Sequence, residues 1–323
     1  MSWSSDLIQA CHQIGGFDLA GIVDIESQLQ DPDSIFQQSV RHYDAWLSQG
    51  HAGEMEYLKR GRDRRANPKL VFPEVKSVLS VVLRYPSAPL GSVNPEEGVR
   101  YARYLRGGDY HTVIADQLES VLQSIATHDL KWKICVDTSA VLERTWAYLC
   151  GLGWIGKNTL LIHPKLGSYL LLGTVFLNQE SGQPVQPLPD FCGNCSRCLE
   201  GCPTKAFVKP HELDSTKCIS YLTLEKRGEF SIEEKQLKRM GNWVAGCDIC
   251  QEVCPFNLKI SKTDLLPAEQ SFPDTWVDLT AESHEDYRAR IKKTALSRIK
   301  PAEFKRNLKQ AHLNSRSFEV QKI

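Results

Sequence analysis

The chain has 323 residues, enough for two domains of ordinary size, and sets 39 Lys plus Arg against 39 Asp plus Glu, so no whole-protein charge announces a partner. No apolar run approaches the ~18 residues of a membrane span, and the N-terminus MSWSSDLIQACHQIGG has neither a basic stretch before an apolar core nor a twin-arginine signal. Eleven cysteines without an export signal point to a reducing, cytoplasmic compartment, where clustered thiols bind metals rather than each other.

In chain order, residues 1 to 182 alternate strand and helix signals and read as an α/β domain. Phe17–Asp24 and Val75–Tyr85 are apolar and β-branched enough for buried strands. Asp109–His128 carries Ile114, Leu118, Val121, Leu122 and Ile125 at helical spacing, which predicts an amphipathic helix facing the core. A strand over Lys131–Val136, a helix over Ala140–Cys150, and strands at Leu160–Ile162 and Ser168–Leu177 follow. The proline-rich run 183–189 is a stiff linker into a second domain, 183–260.

That domain holds eight of the cysteines. Cys192-x2-Cys195-x2-Cys198-x3-Cys202-Pro203 is the bacterial ferredoxin run for cubane iron–sulfur clusters, in which the fourth thiolate ligates the other cluster. A second run, Cys247-x2-Cys250-x3-Cys254-Pro255, lacks its first ligand, because Val244 stands there. Two clusters need eight thiolates, and the runs supply seven. Cys218, between them, is the nearest spare. By the swap rule one cluster takes Cys192, Cys195, Cys198 and Cys254, and the other takes Cys202, Cys218, Cys247 and Cys250. Paired structural zinc sites are the competing reading, but they do not ask for three cysteines at x2 spacing followed by x3-Cys-Pro. Cys11, Cys135 and Cys150 read as buried apolar residues.

Two motifs fail on context. Gly151-Leu-Gly-Trp-Ile-Gly156-Lys157-Asn158-Thr159 satisfies G-x-G-x-x-G, but a helix precedes it and a strand follows, the reverse of a dinucleotide fingerprint. Asn158 stands where a triphosphate loop needs Ser or Thr. Asp109-Tyr110-His111 begins like a corrinoid D-x-H-x-x-G motif, but Ile114 replaces its glycine. Asp137, at the end of a predicted strand, reads either as a carboxylate at a helix N-terminus or as an acid at a strand edge where α/β folds place ligands.

The segment 261–323 reads as a short basic helical tail. Nine basic residues from Arg288 to Lys309, Arg298, Lys300 and Arg306 among them, face one acid, Glu303. A solvated helix face and a phosphate-binding footprint are both open readings.

Taken together, Val136-Asp137-Thr138, Glu143-Arg144, Gly151–Thr159, Tyr57-Leu58-Lys59-Arg60 and Gly246–Pro255 resemble epoxyqueuosine reductase. The match runs from about residue 10 to 260. The resemblance implies a fold related to reductive dehalogenases, with base-off cobalamin, not ligated by histidine, between an α/β domain and a ferredoxin-like module. It implies reduction of epoxyqueuosine to queuosine at the wobble position of tRNA, fed by an external low-potential electron donor. Asp137 matches the family's proton donor; Arg60, Lys157 and Asn158 match positions near the corrinoid, and Ser220 falls where the cluster module meets it. Many members continue into a helical-repeat tail, from which this sequence departs by stopping at Ile323; the resemblance makes tRNA the expected partner of the basic helix, through Arg298, Lys300 and Arg306. A corrinoid dehalogenase of small organohalides and a ferredoxin-type electron carrier are the alternatives; the chain is expected to act as a monomer.

Overall fold

A computed structural model describes residues 2–85, 98–230, 238–260 and 275–319. They form a mixed helix-and-sheet structure that falls into two compact units, 1–84 with 111–195, and 85–110 with 196–323. The division differs from the boundaries 1–182, 183–260 and 261–323. The basic tail belongs to the second unit, and so does a segment from the middle of the first predicted domain.

The first unit is built on a four-stranded sheet, β1 (Leu19–Asp24), β2 (Ser77–Arg84), β3 (Trp132–Cys135) and β4 (Leu170–Leu177), in the order β1-β2-β4-β3. All three pairings are antiparallel. β2 is interior and covered on both faces, which is why its sequence SVLSVVLR is a largely apolar, valine- and leucine-rich run rather than a strict alternation. Period-2 alternation sorts its side chains. Val81 lies beside Gly173 on one face, where a Cβ on Gly173 would meet Ile114 and Leu118 at 2.7 and 3.0 Å. That glycine lets the helix Tyr110–Ile125 seat directly on the sheet. Val78 and Val82 face the other way, onto the helix Glu143–Leu149 through Trp146, Ala147 and Leu149. A helix that sequence patterning missed, Ile35–Ser48, begins at the Ser34 cap and closes this layer by stacking Phe36 on Trp146, 4.7 Å between ring centres.

In the second unit, Arg100–Tyr101 pairs in parallel with Trp243–Ala245, against which the long helix Pro301–Glu319 packs. Asn307, fully buried on that helix, donates to the carbonyls of Thr223 (2.8 Å) and Val244 (3.0 Å), knitting the tail to the two segments that carry Cys218 and Cys247. Among the described residues no helix is long and apolar enough to cross a membrane.

Candidate functional site

The second unit holds six of the eight cysteines, Cys198, Cys202, Cys218, Cys247, Cys250 and Cys254. Cys218 stands at the N-cap position of the helix Ile219–Leu224, where the nearby backbone of Ser220 and Tyr221 favours its thiolate, as that of Ile249 does for Cys247. Cys202 accepts from the Ala206 N–H at 3.3 Å. Such N–H···S bonds stabilise thiolates and are the usual surroundings of cluster ligands. Cys218, Cys247 and Cys250 keep solvent-reachable surface, yet protein closes around them so fully that lost hydration pushes all three thiols up.

After burial, the like charge of neighbouring cysteines contributes. Cys202 raises Cys218; Cys218 and Cys250 raise Cys247; Cys218, Cys198 and Cys202 raise Cys250. The thiolates repel one another unless iron compensates them. Among the described residues no group of three His, Cys, Asp or Glu is set to hold a single metal ion. The donor set fits a cluster.

Beside Cys247 and Cys250, the segment 98–110 contributes Arg103. Its N–H donates to Asp248 at 2.7 Å, and its guanidinium reaches Glu252 at 3.0 Å. Burial pushes the Asp248 carboxyl up to about 6.

In the first unit, Asp137 follows β3 with φ of +52°, the left-handed region that non-glycine residues rarely adopt. It is not a helix cap: the helix Glu143–Leu149 starts at Leu142, which makes no side-chain cap. Nor does the strand-edge rule for parallel sheets apply, because β3 and β4 are antiparallel. Instead the Asp137 N–H donates to both carboxylate oxygens of Glu143, each at 3.1 Å, while His111 Nε2 lies 3.2 Å from Asp137 Oδ2. The Asp137 side chain is 46% exposed. The enclosed acid is Glu143, pushed up to about 8 by lost hydration and, secondarily, by the charge of Asp137. Arg144 beside it, an exposed residue, donates to the Thr159 carbonyl. Sequence reading missed His111 and Glu143 as partners of Asp137. Their signal was the Asp-Tyr-His start of the helix and the Glu six residues after the aspartate.

The glycine-rich loop has a structural explanation. It forms a tight hairpin in which Trp154–Ile155 pairs with Leu161–Ile162, and a Cβ on Gly153 would meet the Ile162 carbonyl oxygen at 2.5 Å. The Lys157 ammonium donates to the carbonyls of Gly193 (2.5 Å) and Cys195 (3.0 Å). Asn158 fits a bound group better. It is 3% exposed, and its Nδ2 has no hydrogen-bond partner, a donor left for a ligand's acceptor. Arg60 is exposed on a short helix, and Ser220 serves the Cys218 sulfur.

The basic tail divides. Arg306 is 8% exposed; its guanidinium donates to the carbonyls of Lys226, Leu222 and Gly228 and lies 4.0 Å over the Phe230 ring. The expectation that Arg306 binds tRNA is therefore corrected: buried carbonyls hold this cation because it braces the tail. Arg298 pairs with Glu225 and is partly buried, while Lys300, Lys305 and Lys309 are exposed.

Comparison with known proteins agrees with this geometry. Residues 191–257 match the family model of a 4Fe-4S double cluster binding domain, and residues 65–138 match that of epoxyqueuosine reductase QueG, DUF1730. The chain is thus an iron–sulfur oxidoreductase of the two-cluster class. Over 301 residues it is 37% identical to the epoxyqueuosine reductase of Prochlorococcus marinus (strain NATL2A), spanning 91% of this chain and 92% of that one. It belongs to the epoxyqueuosine reductase family. A crystal structure of epoxyqueuosine reductase with an epoxyqueuosine-modified tRNA-Tyr stem loop superposes with a TM-score of 0.80 at 29% identity, over 96% of this chain and 81% of that one. The Bacillus subtilis enzyme, solved with an aspartate catalytic loop swung out of the active site, gives 0.78 at 28% identity, over 98% and 82%.

Proposed function

We propose that this protein reduces the epoxide of epoxyqueuosine to the cyclopentene of queuosine at the wobble position of tRNA, with Asp137 delivering the proton. The observation that carries the reading is Asp137 itself, held in left-handed backbone between His111 and an acid that stays protonated to about pH 8. The Bacillus subtilis relative, with its mobile catalytic aspartate loop, supports it.

The cofactors are two [4Fe–4S] clusters and cobalamin. Cys202, Cys218, Cys247 and Cys250 hold one cluster; Cys192, Cys195, Cys198 and Cys254 hold the other on the swap rule. Asn158 offers its unpartnered Nδ2 to the corrinoid, and Arg60 and Ser220 are further contacts. When bound, the corrinoid supplies strongly reducing cobalt, which an epoxide, a poor electron acceptor, requires. The residues of the chain manage protons. Opening the C–O bond leaves an oxygen that must be protonated, and Asp137 is the exposed acid that can reach a substrate. His111, on its outer oxygen, orients the carboxyl and can return a proton to it. Glu143 fixes the Asp137 backbone and, being protonated at neutral pH, adds no second negative charge.

The protein acts in the cytoplasm as a monomer, draws electrons from an external low-potential donor, and grips tRNA phosphates with Lys300 and its exposed neighbours, Arg298 lending charge from its ion pair. The test is anaerobic incubation with cobalamin, a strong reductant and epoxyqueuosine tRNA, followed by nucleoside mass analysis. Loss of one oxygen from the modified base supports the reading; an unchanged base with fully loaded cofactors refutes it. A purely electron-carrying module would load clusters and leave the corrinoid unbound.

A further inference from the structure

We propose that Trp154 sets the reduction potential of the cluster ligated by Cys192, making the glycine-rich hairpin a tuning clamp; the inference rests on the two-cluster reading above. Four contacts within the first unit carry it. The Trp154 indole N–H donates to Cys192 Sγ at 3.4 Å. Phe191, the preceding residue, meets the Trp154 ring edge-on at 5.2 Å. Lys157 ties down the carbonyls of Gly193 and Cys195. Asp190 Oδ1 accepts the Cys192 N–H at 2.7 Å.

The hairpin thus holds the ligand loop from two sides with an N–H on the sulfur and an ammonium beneath the backbone. Trp154 is 1% exposed, so the N–H acts in a low-dielectric setting where it counts most. Adding an electron puts more negative charge on the cluster sulfurs. A donor to sulfur therefore stabilises the reduced form more than the oxidised form and raises the potential. The Lys157 charge acts in the same direction. The Asp190 carboxylate opposes both.

This reading also explains why Gly153 and Gly156 have no room for side chains: they let the hairpin close tightly enough to aim Trp154. Trp154 is a positioning and tuning residue, since it touches the ligand sulfur and not the reacting atoms.

The test is an EPR-monitored redox titration of the reconstituted protein, after iron and sulfide analysis has counted two clusters in the wild type. Trp154→Phe removes the N–H. Replacing Trp154 by 3-benzothienylalanine removes it while keeping the ring's shape, which guards against a folding defect in the first variant. The reduced fraction of one cluster at fixed potential should fall about tenfold, a drop of ~59 mV for a one-electron couple, while the other cluster stays put. Asp190→Asn should shift the same couple upward. Unmoved couples in the benzothienyl protein, or both moving together, would overturn the inference while leaving the two-cluster reading intact. A wild type that binds no clusters overturns that reading, and this inference with it.

Discussion

Glu143→Gln isolates the enclosed acid at the proposed proton site. The Glu143 carboxyl is raised from 4.5 to about 8 in the folded protein, chiefly by lost hydration. An acid whose folded pKa is raised carries no penalty below the unfolded value. From there the folded state holds a proton that the unfolded state releases, so stability falls with rising pH until about 8 and then levels off. Each pH unit in that window corresponds to about 1.4 kcal/mol. Between pH 5.5 and 7.5 the wild type should therefore lose up to about 2.7 kcal/mol relative to Glu143→Gln, which cannot ionise. Anaerobic denaturant titrations of both proteins across that range measure the difference. Parallel pH profiles would refute the reasoning and show that Glu143 is ionised in the fold.

Three further outcomes follow from named contacts. Cys218→Ser should leave about half of the wild-type iron and sulfide, with one cluster signal lost, because only the Cys202, Cys247 and Cys250 thiols remain for that cluster. Arg306→Ala should cost about 3–5 kcal/mol in stability by leaving buried carbonyls unpaired, read by denaturation, rather than acting as a simple loss of tRNA charge. Replacing the exposed Lys300, Lys305 and Lys309 together by Gln should keep stability within about 1 kcal/mol. The same change should lower the log–log salt dependence of tRNA binding by about 2, since each phosphate contact contributes a little under one.

The cysteine spacing was legible because cluster ligation imposes a covalent-scale rule on sequence, and counting to eight was enough to bring in Cys218. The strands and the helix Tyr110–Ile125 were legible from apolar periodicity, which reports burial. Strand partners were not, since a buried run such as Ser77–Arg84 reads the same in parallel and antiparallel sheets. Charge counting failed at Arg306 for a similar reason: nine cations within 22 positions say nothing about which ones turn inward to carbonyls. The Lys157 contacts to the Gly193 and Cys195 carbonyls were not legible either, because the sequence does not say onto which loop a long side chain folds. Glu143 was quoted only as part of a resembling string; its role emerges once the left-handed turn at Asp137 aims a backbone N–H at it.

The most direct test of the account is Asp137→Asn with cobalamin and both clusters loaded, assayed anaerobically on epoxyqueuosine tRNA by nucleoside mass. Normal cofactor content with the modified base keeping its oxygen is the predicted result. Wild-type conversion by the loaded variant would contradict it.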